Sequence, residues 1–442
     1  MAHHIRRISL STKAALFLGF ALAIVCQPGI AETGTVTVKA DMPAPGRDWT
    51  AGTIDGILYV GGSAGMCDTS LLGCGLLEAY NPATDTWAYK TPMRYPRYFA
   101  GSGVVNGILY IVGGQFWTAY VPQTLESYDP KSDRWTTKAA MTTARSALGA
   151  VGFDGKLYAI GGTTGRNGPN PILGTVEAYD PVTDAWSTKA PMPTPRAYFA
   201  VAAVDGIIYA IGGATNTGVT YPNSTRAIRT VDAYDTATNT WSPRAPLPYL
   251  TGGEQVACVI DGIIYVFIPS GGANPIVAYD PKTDRWTIVG PFLISRAAFS
   301  AGASGDVAYV VGGYTADPNY KVLATNEAFT PFLSVTIRVN PATINLRSNA
   351  KIKVAILSTS TFDATAVIPD SLKLSGALAD TEANGTPLFS FDDVNGDGIL
   401  DLVLTFRARD LQLTRADKQV VLKGQTFAGQ LIKGVASVRI VP

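Results

Sequence analysis

Residues 200–213 read Ala200-Val201-Ala202-Ala203-Val204-Asp205-Gly206-Ile207-Ile208-Tyr209-Ala210-Ile211-Gly212-Gly213. Two apolar runs of strand length flank Asp205-Gly206, a pair that supplies the positive φ angles of a tight hairpin turn. Tyr234 and Trp241 follow, seven residues apart. The unit recurs about every fifty residues: Tyr80/Trp87, Tyr128/Trp135, Tyr179/Trp186 and Tyr279/Trp286 keep the spacing, and double glycines stand at Gly61-Gly62, Gly113-Gly114, Gly161-Gly162 and Gly312-Gly313. The Tyr run ends at a pairing-breaking proline in Asp129-Pro130, Asp180-Pro181 and Asp280-Pro281, and the Trp run follows. Each unit is therefore a four-stranded antiparallel meander. One such sheet cannot bury both faces, so neighbouring units must cover it and the array closes into a ring.

The ends of the array predict how it closes. The last repeat, from Arg296 to Phe332, reaches Asn326-Glu327-Ala328-Phe329 and has no Trp strand. Val36-Thr37-Val38-Lys39-Ala40-Asp41-Met42-Pro43 aligns with Trp186-Ser187-Thr188-Lys189-Ala190-Pro191-Met192-Pro193, so the N-terminal strand is expected to complete that unit, with Val36 in the Trp position. A repeat of this length and signature resembles the kelch repeat, one propeller blade per repeat. The resemblance implies an all-β, six-bladed kelch β-propeller over residues 32–332. Its members bind proteins or glycans, or catalyse reactions, so the fold leaves function open.

Arg6, Arg7 and Lys13 precede an apolar stretch from Ala14 to Val25, and Gly29-Ile30-Ala31 offers small residues before a cut. Residues 1–31 thus read as a signal peptide, and the protein as secreted or periplasmic with no membrane span after cleavage. A membrane anchor or a lipoprotein at Cys26 are the competing readings; the apolar run is short for a span. Cleavage would leave 32 basic residues against 34 acidic ones, which gives no electrostatic case for nucleic acid. Cys67 and Cys74 share one loop and read as a disulfide in an oxidising compartment, or else as a metal pair. Cys258, on an inner strand, reads as a buried thiol. His3 and His4 are the chain's two histidines, so the mature chain has no imidazole for a triad, a zinc site or the copper centre of oxidases built on kelch-like propellers. Any catalysis would fall to carboxylates, Tyr, Lys or Arg.

Strand direction places the long loops at 63–76, 115–124, 163–174, 214–229 and 314–324 on one face, together with the lead-in to each innermost strand. Arg97, Arg145, Arg196 and Arg296 occupy one lead-in position, nine residues before the hairpin turn, with Arg47 beside the equivalent Gly46. In similar kelch adaptor domains, arginines so placed face the pocket and grip acidic peptides. The alternative is a repeat-consensus role, pairing with backbone or neighbouring carboxylates; separately, Glu78, Glu126, Glu177, Asp232 and Glu327 recur at the start of the third strand and read as scaffold. Two residues further on, where other repeats have Phe99, Ala147, Tyr198 and Ala298, stand Asp48 and Glu254. A carboxylate pair beside arginines is the minimum equipment for proton transfer, or else each acid balances an arginine or faces solvent, while guanidinium groups around a channel favour a carboxylate or another anion. The expected ligand-binding set is Arg47, Asp48, Arg97, Arg145, Arg196, Tyr198, Glu254 and Arg296.

After Phe332 the repeat gives way to alternating strands over 333–442, read as a β-sandwich domain. Within it, Asp393-Val394-Asn395-Gly396-Asp397-Gly398-Ile399-Leu400-Asp401 follows a calcium-loop order: side-chain oxygens of Asp393, Asn395, Asp397 and Asp401, a backbone carbonyl at Ile399, and glycine at the sharp turn. Leu404 stands where a helix-loop-helix hand needs Glu, so the loop resembles the shorter one of integrin-type repeats. A structural Ca2+ is expected there. The sequence favours a binding platform for an extracellular glycan or protein ligand. The alternatives are a metal-independent mutarotase, by resemblance to sialic acid mutarotases, and an adhesion or surface-assembly module.

Overall fold

The computed structural model describes residues 34–62, 75–116, 122–165, 171–216, 225–251, 253–269, 275–315 and 320–441. The expected signal peptide and the Cys67/Cys74 pair lie outside them. Six four-stranded antiparallel sheets form the blades of a propeller. Blade four shows the plan: Ala200–Val204 innermost, then Ile207–Ile211, Val231–Asp235 and Thr240–Arg244. The hairpin Asp205 has φ 48° and Gly206 88°, the left-handed values that the Asp-Gly pair makes accessible.

Blade six is discontinuous in sequence. Ser300–Ser304, Val307–Val311 and Asn326–Thr330 are joined by Thr35–Lys39 as the outer strand, with Val36 opposite Phe329 as Trp186 stands opposite Tyr179 in blade three. Aromatic rings run around the whole propeller. The second-strand Tyr of each blade packs on the third-strand ring of the next: Tyr59 on Tyr128, Tyr110 on Tyr179, Tyr158 on Tyr234, Tyr209 on Tyr279, Tyr265 on Phe329, and Tyr309 back on Tyr80 at 5.2 Å. These tilted and edge-on contacts are the geometry aromatic quadrupoles favour, and the rings account for much of the apolar area removed from water.

Thr330 ends the third strand of blade six, and Leu333–Val335 already belongs to a second domain. There, a five-stranded sheet containing Leu431–Ser437 and Gln419–Gln425 packs on a four-stranded sheet containing Lys351–Ile356 and Asp401–Arg407. Ile352, Val354, Leu402, Leu404, Leu422 and Ile432 form its buried core. The protein is a six-bladed propeller followed by a small β-sandwich. Among the described residues no helix is long and apolar enough to cross a membrane.

Candidate functional site

The four arginines expected at the channel mouth are not there. Arg97, Arg145, Arg196 and Arg296 are at most 1% exposed, and each meets the acid on the third strand of its own blade: Glu126, Glu177, Asp232 and Glu327. The reason lies within each blade. Where the chain turns away at the double glycine, carbonyls leave the strand ladder, and the guanidinium fills that gap. Arg97 donates to the carbonyls of Gly113 and Thr124 at 3.1 and 3.0 Å, and Arg296 to Gly312 and Thr325 at 3.1 and 3.2 Å. A buried charge must be paired, and each of these is; Arg97 and Arg196 also donate through all three nitrogens, whereas Arg145 Nε and Nη1 and Arg296 Nε have no hydrogen-bond partner among the described residues. Burial still outweighs pairing: it pulls Arg196 down to about 10 and holds the Asp232 carboxyl above the usual range despite Arg196. Guanidiniums committed in this way are scaffold and cannot receive a ligand.

The mouth is formed by the residues two positions further on. Asp48, Phe99, Ala147, Tyr198, Glu254 and Ala298 all have φ between 51° and 64°. The left-handed turn aims each residue at the channel axis, and backbone bonds link neighbours around the rim: Asp48 N to Ala298 O at 2.8 Å, Ala147 N to Phe99 O at 2.8 Å, Tyr198 N to Ala147 O at 3.0 Å, Glu254 N to Tyr198 O at 2.9 Å. The six line a cavity of about 130 Å³. Beneath it runs a channel walled by small residues. Its volume is about 420 Å³, and the innermost strands around it pack closely on one another: a Cβ on Gly152 of blade three would lie 1.9 Å from the Val104 carbonyl of blade two.

The rim is asymmetric. Phe99 and Tyr198 meet edge-on at 5.5 Å on one side. On the other, Asp48 and Glu254 flank Ala298, with Arg47 Nη1 3.5 Å from Asp48 Oδ2. Arg47 also lies 5.6 Å over the ring of Tyr314, from the blade-six loop, and Tyr314 packs on the exposed Tyr320 at 5.9 Å. Burial raises Glu254, against the pull of Arg47 and the Ala298 N–H. Burial also raises the Tyr314 phenol, helped by Glu254 and Asp48. The site thus gathers two carboxyls, one guanidinium and aromatic faces, with the Glu254 carboxyl raised by burial. Arg47, Asp48, Tyr198 and Glu254 of the expected set meet here. Phe99 and Tyr314 were missed; Tyr314 is aromatic where Ser63, Gln115, Thr163 and Ala214 follow the other double glycines, a signal present in the sequence.

In the sandwich, the Asp393–Asp401 loop is wound on its own backbone. Asp393 accepts from the N–H groups of Gly396, Asp397 and Gly398 at 2.7, 3.1 and 2.9 Å, which hold its carboxyl below the usual range. Asn395 Nδ2 donates to Asp397 Oδ2 at 2.7 Å. Asp401 is fully buried and accepts from Ser358 N and Val394 N at 2.8 and 3.0 Å. Among the described residues no three carboxylate, thiol or imidazole groups converge to hold a metal. Asp393, Asp397 and Asp401 share a loop without sharing a point.

The Kelch motif matches residues 96–142, 144–193 and 195–248, which cover blades two to four. The chain is similar to Kelch-like protein 25 of Xenopus tropicalis, 26% identical over 312 residues, 69% of this chain and 43% of that protein. It is also similar to Kelch-like protein terF of Aspergillus terreus, 29% identical over 251 residues, 54% of this chain and 52% of that protein. The chain thus spans about half the length of these relatives or less. The solved structure of YjhT shares the fold, with a TM-score of 0.52 at 17% identity, over 65% of this chain and 96% of that one. Tandem motifs, kelch-like relatives and a shared fold together support a kelch-repeat propeller protein.

Proposed function

We propose that the propeller is a binding platform whose ligand docks at the loop-face mouth on Arg47, Asp48, Tyr198, Glu254 and Tyr314. One observation carries this reading: the two blades flanking blade six place carboxylates where the rim otherwise has small or aromatic residues, beside an arginine that takes no part in the buried scaffold pairs. Such a rim suits an extracellular glycan or peptide that offers hydroxyl or amino donors to the acids, an acidic group to Arg47, and a flat face to the tyrosines. Export by a signal peptide and a structural calcium in the Asp393–Asp401 loop belong to the same reading. The order of the loop's oxygen ligands supports the ion; its carboxylates would have to be regrouped by it.

Thermal-shift screening of residues 32–442 against sugars, sialic acids and peptides tests the site. The expected hit loses its shift in both Arg47→Ala and Glu254→Gln. A ligand whose shift survives both substitutions places the site elsewhere. A second reading, metal-independent sugar mutarotation, draws on the raised Glu254 beside Asp48 and Tyr314, since a carboxyl titrating nearer neutrality is a better proton carrier. Anomer exchange followed by NMR, unchanged by Glu254→Gln, would discard it.

A further inference from the structure

Propeller seams in this chain share one outer latch. A Trp Nε1–H and an Asp or Asn Oδ1 of one blade hold the carbonyl and the N–H of a single residue that follows the outer strand of the blade before. Blade one holds Ala40, blade two Thr91, blade three Ala139, blade four Ala190 and blade five Ala245. The Tyr hydroxyl completes each latch, as Tyr179 does on Asp184 at 2.6 Å. Blade six has Val36 for the Trp and Phe329 for the Tyr, so among its described residues nothing latches blade five in this way. This seam keeps the Tyr265–Phe329 ring contact that every seam has in kind, and Phe267 adds a second ring against Phe329.

The sandwich domain sits on that seam. Lys423 bonds Asp261 at the hairpin tip of blade five and lies 3.7 Å from Asp306 at the hairpin of blade six, so one ammonium spans both blades. Lys433 also pairs with Asp306, and the Lys423 ammonium lies 5.2 Å over the Phe332 ring. Leu431 packs against the apolar cluster that fills the seam. The link between the domains is only Pro331-Phe332, too short to let the sandwich drift away.

We propose that the C-terminal domain is a clasp that closes the one seam lacking the outer latch. The mouth depends on this seam, because Glu254 comes from blade five and Tyr314 from blade six. A clasp of clustered charges and one leucine is a local device, so its loss is felt first in the two blades it joins.

Hydrogen exchange on the full mature chain tests this. In Lys423→Ala/Lys433→Ala, amides of Ile263–Phe267 and Val307–Val311 are expected to exchange about tenfold faster, while those of Lys156–Ile160 keep their rate. Leu431→Ala, which keeps both lysines, is expected to loosen the same two strands. Lys156→Ala, which removes the Lys156–Asp180 pair within blade three, serves as control and leaves the seam unchanged. Unchanged exchange at the seam in both variants, or equal acceleration in every blade, overturns the clasp.

Discussion

The indole N–H of Trp87 donates to the carbonyl of Ala40 at 2.8 Å, while Asp85 accepts the Ala40 N–H at 3.0 Å. One residue just after the N-terminal strand is thereby gripped by blade one, and the strand itself pairs with Asn326–Thr330 of blade six. A chain beginning at Met42 loses both, leaving blade six with an open edge and an uncovered face. Its melting temperature is expected to fall by roughly 5–10 °C. Trp87→Phe, which keeps an aromatic ring but removes the N–H donor and the pyrrole half of the indole, is expected to cost at least about 1 kcal/mol in urea unfolding. A shortened chain melting like the parent would show that the strand contributes no closure.

The buried Arg–acid pairs predict a non-additive pattern. Arg196→Met leaves Asp232 buried without its counter-charge and is expected to cost about 3–5 kcal/mol, whereas Arg196→Met/Asp232→Leu removes both charges and should recover most of that loss. Denaturant midpoints of the two variants and the parent decide it. Equal losses in single and double variants would mean that shape, and not the unpaired charge, dominates at this position.

The repeat was legible because each of its devices is local in sequence: the hairpin Asp205-Gly206, the Tyr and Trp seven residues apart, the double glycine. The mouth was only half legible. Asp48 and Glu254 stood out as breaks in a pattern, but the direction of Arg97 and Arg196 did not, since one lead-in position can send a side chain outward to solvent or inward under the double-glycine carbonyls. What decides is the acid on the third strand, Glu126 or Asp232, some thirty residues away. Glu126 and its equivalents were visible as recurring residues; that they are the arginines' partners is a fact of tertiary packing. The clasp was illegible for a stronger reason, because Lys423 and Asp261 meet only through the arrangement of two domains.

Calcium is expected to act on the loop that Asp393 organises. Millimolar calcium should raise the melting temperature of residues 32–442 relative to chelator by a few degrees, the shift that mass action gives when the ion binds the folded state alone. Asp397→Ala should abolish that shift while leaving the melting temperature in chelator nearly unchanged, because Asp397 is exposed. Asp401→Ala should destabilise the domain with or without calcium, because it orphans the Ser358 and Val394 N–H groups. Identical curves in calcium and chelator would leave the loop as a turn only.

Glu78 is the blade-one member of the acid series, and it has lost its arginine. Gly46 occupies the arginine's position, Oε1 accepts from Ala44 N at 3.0 Å, and Oε2 has no hydrogen-bond partner among the described residues, although the residue is fully buried. Burial therefore pushes its carboxyl from the ordinary 4.5 up to about 7. The sign follows from linkage. Between these values the folded state keeps a proton that the unfolded chain has released, so stability is greatest at the acid end of the window and falls as pH rises through it, levelling above about pH 7. A shift of this size corresponds to something on the order of 3 kcal/mol. Glu78→Gln stays neutral throughout. Its stability relative to the parent should be near zero at pH 5 and rise in its favour towards pH 8. The difference curve cancels the raised groups Glu254, Asp232 and Glu327, which are common to both proteins. Parallel stability curves across that window would show that Glu78 finds its counter-charge from elsewhere in blade one.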